Sequence, residues 1–484
     1  MNFNSFGYGF FLALVVVICW ALPRLRWQNL FLLAASYFFY ASWDWRFLGL
    51  ILLSTTVDYW TARAMPDAPS RRRKLLLSLS LVTDLGILGF FKYFNFFVDS
   101  AVSLLNTFGV QANPSSLQII LPVGVSFYTF QALSYTIEVY RGNLQPTRNF
   151  INYALFIGFF PQLAAGPIER AARMLPQIEN PRSIDGDRVE SALVLILLGL
   201  FKKMVIADVA ATLIDPAIFT ETARFPGGQV LAAVYLFTVQ IYADFSGYSD
   251  IARGSARLLG FELMENFNQP YFAANVADFW RRWHISLSTW LRDYIFFPFS
   301  RSMLKRYGSK HATAIQIAAN MLTMLASGLW HGANWTFVLW GGLHGVYLSV
   351  HRLLLNRKWL PVKITSPLGK RIWLVVSILV TFHLVVAAWV LFRAPSIAQV
   401  SVIFSRIGSI FTSNAPPFDA SLFVPVILLF AAAFALDIGQ IITRDHAFTI
   451  RMPPALRTAL YSAAIICLIV FSLKPYVPFI YFQF

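Results

Sequence analysis

Residues 312–351 read ATAIQIAAN MLTMLASGLW HGANWTFVLW GGLHGVYLSV H, forty positions without an Asp, Glu, Lys or Arg. A helix rises 1.5 Å per residue, so this stretch is long enough to cross a hydrocarbon core of about 30 Å twice. Gly332-Ala333-Asn334 marks the turn between the two crossings. Working outward, uncharged or nearly uncharged runs recur at 6–22, 29–43, 47–57, 75–91, 151–165, 191–201, 229–243, 372–392, 422–436 and 458–473. A crossing takes about 20 residues, so some runs are full spans and others are short. The pattern predicts an all-α, polytopic membrane protein with roughly ten transmembrane helices plus re-entrant or interfacial helices. The runs extend from one end to the other, which predicts one membrane-embedded domain over 1–484.

Composition agrees. The chain is 57% apolar and 13% charged, where a soluble domain carries about a quarter charged residues. A soluble globular enzyme is excluded. The 39 Lys and Arg against 23 Asp and Glu give +16. In a soluble protein that excess would suggest nucleic acid. In a multispanning one it belongs to cytoplasmic loops, so no nucleic-acid partner is expected. Arg24 and Arg26 follow the first run, and Arg71, Arg72, Arg73 and Lys74 follow the third, which predicts an N-terminus outside the cytoplasm. The first run has no basic residue before it and no small-residue cleavage pattern after it, and reads as a retained span. Cys19 and Cys467 each lie in an apolar run, arguing against a disulfide framework or a Cys-ligated metal. No internal repeat is visible. Residues 114–116, 180–187 and 413–418 read as extramembrane loops.

Ionisable side chains are costly in a membrane, so each is a candidate for function. Of seven histidines, His311, His351, His383 and His446 read as structural, and His344, among glycines, as a packing residue. His331 stands in Gly328-Leu329-Trp330-His331-Gly332-Ala333-Asn334-Trp335. Glycines there allow close approach, and tryptophans exclude water. A neutral imidazole so held can take a proton from an attacking hydroxyl. The same residues would serve a purely structural Trp-His turn, and the local sequence does not choose between the two.

His284 lies in a segment from Asp278 to Tyr294 that carries five charges, too many for an ordinary span. At helical spacing Trp280, His284, Leu287 and Leu291 share one face, which would turn His284 inward and leave Arg281 and Arg282 near water. An interfacial amphipathic helix with its arginines on lipid phosphates is the competing reading. No nucleotide-binding loop, serine-hydrolase elbow or zinc-protease helix is present.

Five blocks together resemble the membrane-bound O-acyltransferases of the bacterial alginate O-acetyltransferase type. They are Leu121-Pro122-Val123-Gly124-Val125-Ser126-Phe127-Tyr128-Thr129-Phe130-Gln131, then Phe160-Pro161-Gln162-Leu163-Ala164-Ala165-Gly166-Pro167-Ile168, then Tyr242-Ala243-Asp244-Phe245-Ser246-Gly247-Tyr248-Ser249-Asp250, and the two histidine segments. The resemblance implies that His331 is the catalytic histidine. It implies that His284 is the second signature residue, a histidine where many eukaryotic members have asparagine. Both would line one central tunnel.

The expected chemistry follows from that likeness. An acyl thioester, acetyl-CoA or an acylated carrier, would enter from the cytoplasmic side with its phosphates drawn by Arg281 and Arg282. His331 would deprotonate the acceptor hydroxyl as it attacks the thioester carbonyl. Trp283, Trp330 and Asn334 would shape the site or donate to the developing oxyanion. A route through an acylated intermediate fits equally well. The resemblance further implies a bacterial inner membrane, an exported polysaccharide as acceptor and periplasmic partner proteins that complete transfer. D-alanyl transfer to a cell-wall polymer is the alternative enzyme reading, and acyl or lipid transport without chemistry is the non-enzymatic one.

Overall fold

A computed structural model describes residues 2–113, 119–163, 166–357, 365–412, 419–472 and 477–480. The expected loops at 114–116 and 413–418, and Ala164 and Ala165 of the second block, lie outside the described residues. Among the described residues the secondary structure is helical throughout, without a strand, as the sequence predicts. Among the described residues six helices are long and apolar enough to cross a membrane by length and composition. Of the loop expected at 180–187, residues 180–185 lie between helices ending at Glu179 and beginning at Gly186, and 186 and 187 already belong to the second helix. The chain forms two compact units, Met1–Ile196 with Ile251–Met264, and Leu197–Asp250 with Glu265–Phe484.

In the first unit, α1 (Leu48–Ala64), α2 (Ser70–Leu88) and α3 (Val125–Arg141) pack together. Their contact is stitched by hydroxyls. Ser54 Oγ donates to Asp84 Oδ1 at 2.7 Å and Ser80 Oγ to Asp58 Oδ1 at 2.6 Å. Such interhelical bonds give specificity where apolar surface alone cannot distinguish a helix from lipid. Gly124 starts α3 at φ 76°, and a Cβ there would lie 2.5 Å from the Leu163 carbonyl oxygen. No other residue fits that turn without displacement. Gln162 of the second block donates to Gln131 of the first, so the first two family-like blocks meet here.

The second unit holds the other three blocks. Its framework is α4 (Gly227–Leu258, in this unit as far as Asp250), α5 (Val276–Arg282), α6 (Ile285–Leu291), α7 (Ala312–His331), α8 (Trp335–Asn356), α9 (Pro367–Arg393) and α10 (Val424–Thr443). The forty-residue apolar stretch is the α7–α8 hairpin. Its turn is where the sequence places it: Gly332 is extended at φ −159°, and the Asn334 side chain caps α8 by accepting from Thr336 N–H at 3.0 Å. The two helices meet backbone to backbone, since a Cβ on Gly341 would lie 2.1 Å from the Met324 carbonyl oxygen. Buried polar bonds tie the rest. Tyr242 donates to Asp437 at 2.7 Å, Gln269 to Gln440 at 2.9 Å, and Trp389 to the Tyr271 hydroxyl at 3.2 Å.

Candidate active site

The segment around His284 departs from the continuous helix that its spacing predicts. The helix breaks between α5 and α6, with Trp283 extended and His284 left-handed at φ 43°, ψ 54°. That conformation is disfavoured for a residue with a Cβ and persists only where its surroundings impose it. Asn266 imposes it. Its carbonyl oxygen accepts from Ile285 N–H at 2.9 Å, and its Oδ1 accepts from Ser286 N–H at 3.3 Å and Ser286 Oγ at 2.8 Å. The first orphan donors of α6 are thus satisfied from outside the helix. Asn268 N–H donates to the Arg282 carbonyl at 2.9 Å, tying the other side of the break.

The same amide orients the imidazole. His284 Nδ1 lies 3.3 Å from Asn266 Oδ1. That oxygen already accepts from Ser286, while Asn266 Nδ2 donates to Ser249 Oγ at 3.3 Å. An oxygen brings no hydrogen, so Nδ1 is the donor and Nε2 of neutral His284 keeps its lone pair. His284 lies outside the six helices that qualify as spans and has no solvent exposure. Burial pushes its pKa down, to about 3.

His331 is the last residue of α7 and is also buried. Its ring centroid is 6.1 Å from that of His284. Trp330 stands beside both, 5.0 Å from His331 and 5.6 Å from His284. Trp340 and Phe392 close on His331 edge to face at 5.0 and 5.5 Å, and Phe245 on His284 at 4.7 Å. Two imidazoles from separate segments therefore face each other inside an aromatic box. Such walls exclude water and strengthen every charge interaction within them.

The other residues singled out in the sequence fall outside this contact. Trp283 is fully buried but stacks on Phe279 at 5.6 Å and leans on Trp389 at 5.0 Å. Asn334 is engaged as the α8 cap and donates to the Pro395 carbonyl at 3.2 Å. Arg281 and Arg282 pair with Asp278 at 3.3 and 2.9 Å, and the Arg281 side chain is 68% exposed. His344 packs as expected, buried and accepting from Trp280 Nε1 at 3.3 Å. Sequence reasoning missed Asn266, Ser286, Phe245 and Trp340. Phe245 lies inside a quoted block, Ser286 is two residues after His284 and Trp340 nine after His331, but nothing in Glu265-Asn266-Phe267 announces a helix cap for a partner nineteen positions on. The Trp340 indole N–H is buried and has no hydrogen-bond partner among the described residues, a donor available to a ligand.

Comparison with known proteins follows the same lines. The model of the membrane-bound O-acyltransferase family matches residues 43–382. The probable alginate O-acetylase AlgI of Azotobacter vinelandii is 41% identical over 401 residues, covering 82% of this chain and 76% of its own length. The peptidoglycan O-acetyltransferase of Helicobacter pylori is 35% identical over 400 residues, covering 76% and 71%. The teichoic acid D-alanyltransferase of Bacillus subtilis is 28% identical over 276 residues, covering 56% and 68%. Both histidines lie within the matched residues, and the chain belongs to the membrane-bound O-acyltransferase family.

Proposed function

We propose that this chain moves an acetyl group from a cytoplasmic thioester to hydroxyls of an exported polysaccharide, in a bacterial inner membrane with its N-terminus outside. The observation that carries the chemistry is the meeting of His331 and His284, with ring centroids 6.1 Å apart in an aromatic enclosure. His331 is the general base. It takes the proton of the acceptor hydroxyl as that oxygen bonds to the thioester carbonyl carbon. The carbonyl oxygen becomes an oxyanion, and the Trp340 indole N–H is a donor at hand for it. When the tetrahedral centre collapses, the carbon–sulfur bond breaks and the thiolate recovers the proton from His331. No net proton is gained or lost.

His284 is the partner imidazole. With Nδ1 committed to Asn266, its Nε2 accepts from a substrate hydroxyl and holds it for attack. Trp330 forms the shared wall. Trp283 and Asn334 act further out, one filling the space behind α5 and the other fixing the turn that presents His331. Arg281 and Arg282 draw the donor's phosphates, and Arg281, the more exposed, keeps free donors beyond its contact with Asp278. The acceptor is assigned from what similar proteins are named for, with alginate first, and periplasmic proteins complete the transfer.

Mass spectrometry of surface polysaccharide tests this directly. Cells lacking the gene should lose a +42 Da acetyl ester, about 42 Da being the mass that replacing a hydroxyl hydrogen by acetyl adds. Wild-type complementation should restore it, and His331→Ala, inserted at equal level, should not. The floor set by His331→Ala should lie about 10²- to 10⁴-fold below wild type. An alanyl ester in place of acetyl would redirect the donor assignment, and full acetylation by His331→Ala would end the catalytic one.

A further inference from the structure

Residues Val477–Ile480 lie beyond the 43–382 region matched by the family model, yet they enter the charged interior of the second unit. The entry is prepared by the π-helical segment Phe201–Ala207. Its widened turn brings two adjacent lysines inward, with Lys202 on Asp250 at 2.8 Å and Lys203 between Asp208 at 2.7 Å and Asp244 at 2.9 Å. Lys203 has no exposed side-chain surface. One ammonium against two carboxylates leaves hydrogen-bonding capacity on both signs of charge, and buried charge demands that it be filled. The C-terminal segment fills it with main chain. Lys203 Nζ donates to the Val477 carbonyl at 3.1 Å, and Ile480 N–H donates to Asp244 Oδ2 at 2.8 Å.

Between these two anchors stands Phe479, completely buried. Its ring centroid is 4.1 Å from Tyr248 and 5.7 Å from Phe245. Phe245 in turn meets the His284 ring perpendicularly at 4.7 Å. Hydrogen bonds hold His284 from the Asn266 side, whereas on the Phe245 side the support is aromatic packing. We propose that Val477–Ile480 is a strap that positions His284 for acyl transfer, with Phe479 pressing Phe245 against the imidazole. The catalytic consequence rests on the acyltransferase reading above; the positioning itself does not. Removing the Phe479 ring leaves a cavity into which Phe245 relaxes, and the imidazole loses its backing while the polar network around Asn266 stays intact.

The test combines Phe479→Ala with His284→Ala in full-length protein, read in two ways. Acetyl ester on surface polysaccharide, normalised to inserted protein, should fall about tenfold in Phe479→Ala, the cost of a displaced catalytic group. In the His284→Ala background the same change should cost nothing more, since residues acting through one another are not additive. Independently of any acetylation, diethyl pyrocarbonate should modify His284 faster in purified Phe479→Ala than in wild type, measured by peptide mass spectrometry. Losses that multiply in the double variant, or unchanged His284 labelling, overturn the strap. Should Phe479→Ala fail to insert, Phe479→Val takes its place with the same criteria. If wild type and His331→Ala acetylate alike, the acyltransferase reading fails, and the labelling experiment still decides the strap.

Discussion

The two histidines are held by opposite means. His331 closes a regular twenty-residue helix, and its place is set by helix geometry and by the glycine-mediated contact of α7 with α8. His284 sits in a break between two seven-residue helices, in a left-handed conformation maintained by an asparagine eighteen residues upstream. One position follows from regular structure and the other from its interruption. A helix end delivers a side chain cheaply but leaves its orientation to the walls. A strained turn locks both backbone and imidazole, and it depends on distant residues to stay locked.

The contrast is open to direct attack. Loss at His331 should be the larger, because in the proposed reaction no neighbour can replace it as the base. At His284 the backbone adds a second requirement. His284→Ala should lower acetyl transfer about a hundredfold by removing the imidazole and loosening the turn. His284→Asn should retain more activity than the alanine variant, because asparagine tolerates the left-handed region and brings an amide acceptor. Equal losses in the two variants would mean that the conformation at 284 is incidental.

Asn266→Ala leaves both histidines in place. It strips Ser286 Oγ, Ser286 N–H and His284 Nδ1 of their common acceptor. A buried donor left without a partner costs about 1–3 kcal/mol, so thermal stability in detergent should fall and turnover should drop about tenfold. If Asn266→Ala melts and turns over like wild type, the His284 break is maintained by something other than this amide.

The smallest effect is expected from pH. Folded His284 resists protonation down to about pH 3, while the unfolded chain takes up a proton near its ordinary value of about 6.5. The unfolded state therefore binds more protons as pH falls below that value, and stability declines on acidification. The slope should average about 0.7 kcal/mol per pH unit from pH 7 to 6 and approach, at most, about 1.4 kcal/mol per pH unit below that. Melting curves of wild type and His284→Asn between pH 7 and 5 should diverge, with the variant the flatter. Parallel curves would show that His284 is not neutral in the fold for the reason given.

The amino-acid sequence alone specifies the helical membrane class and the α7–α8 hairpin with its turn at Gly332-Ala333-Asn334, whereas His284 and His331 stand out from the other histidines only through the family resemblance. The class and the hairpin are written in local terms: forty uncharged residues must be helical in lipid because every peptide group needs an internal partner. Composition and spacing could not reveal the break at His284, since no glycine or proline stands between Val276 and Leu291 and the cap that interrupts the helix comes from Asn266. Nor could they show that Asn334 is engaged as a helix cap, that Arg281 and Arg282 share Asp278, or that Phe479 meets Phe245. Those facts are contacts between residues far apart in the chain. A hydrogen bond or a ring contact depends on a few tenths of an ångström, and only the folded packing fixes distances on that scale.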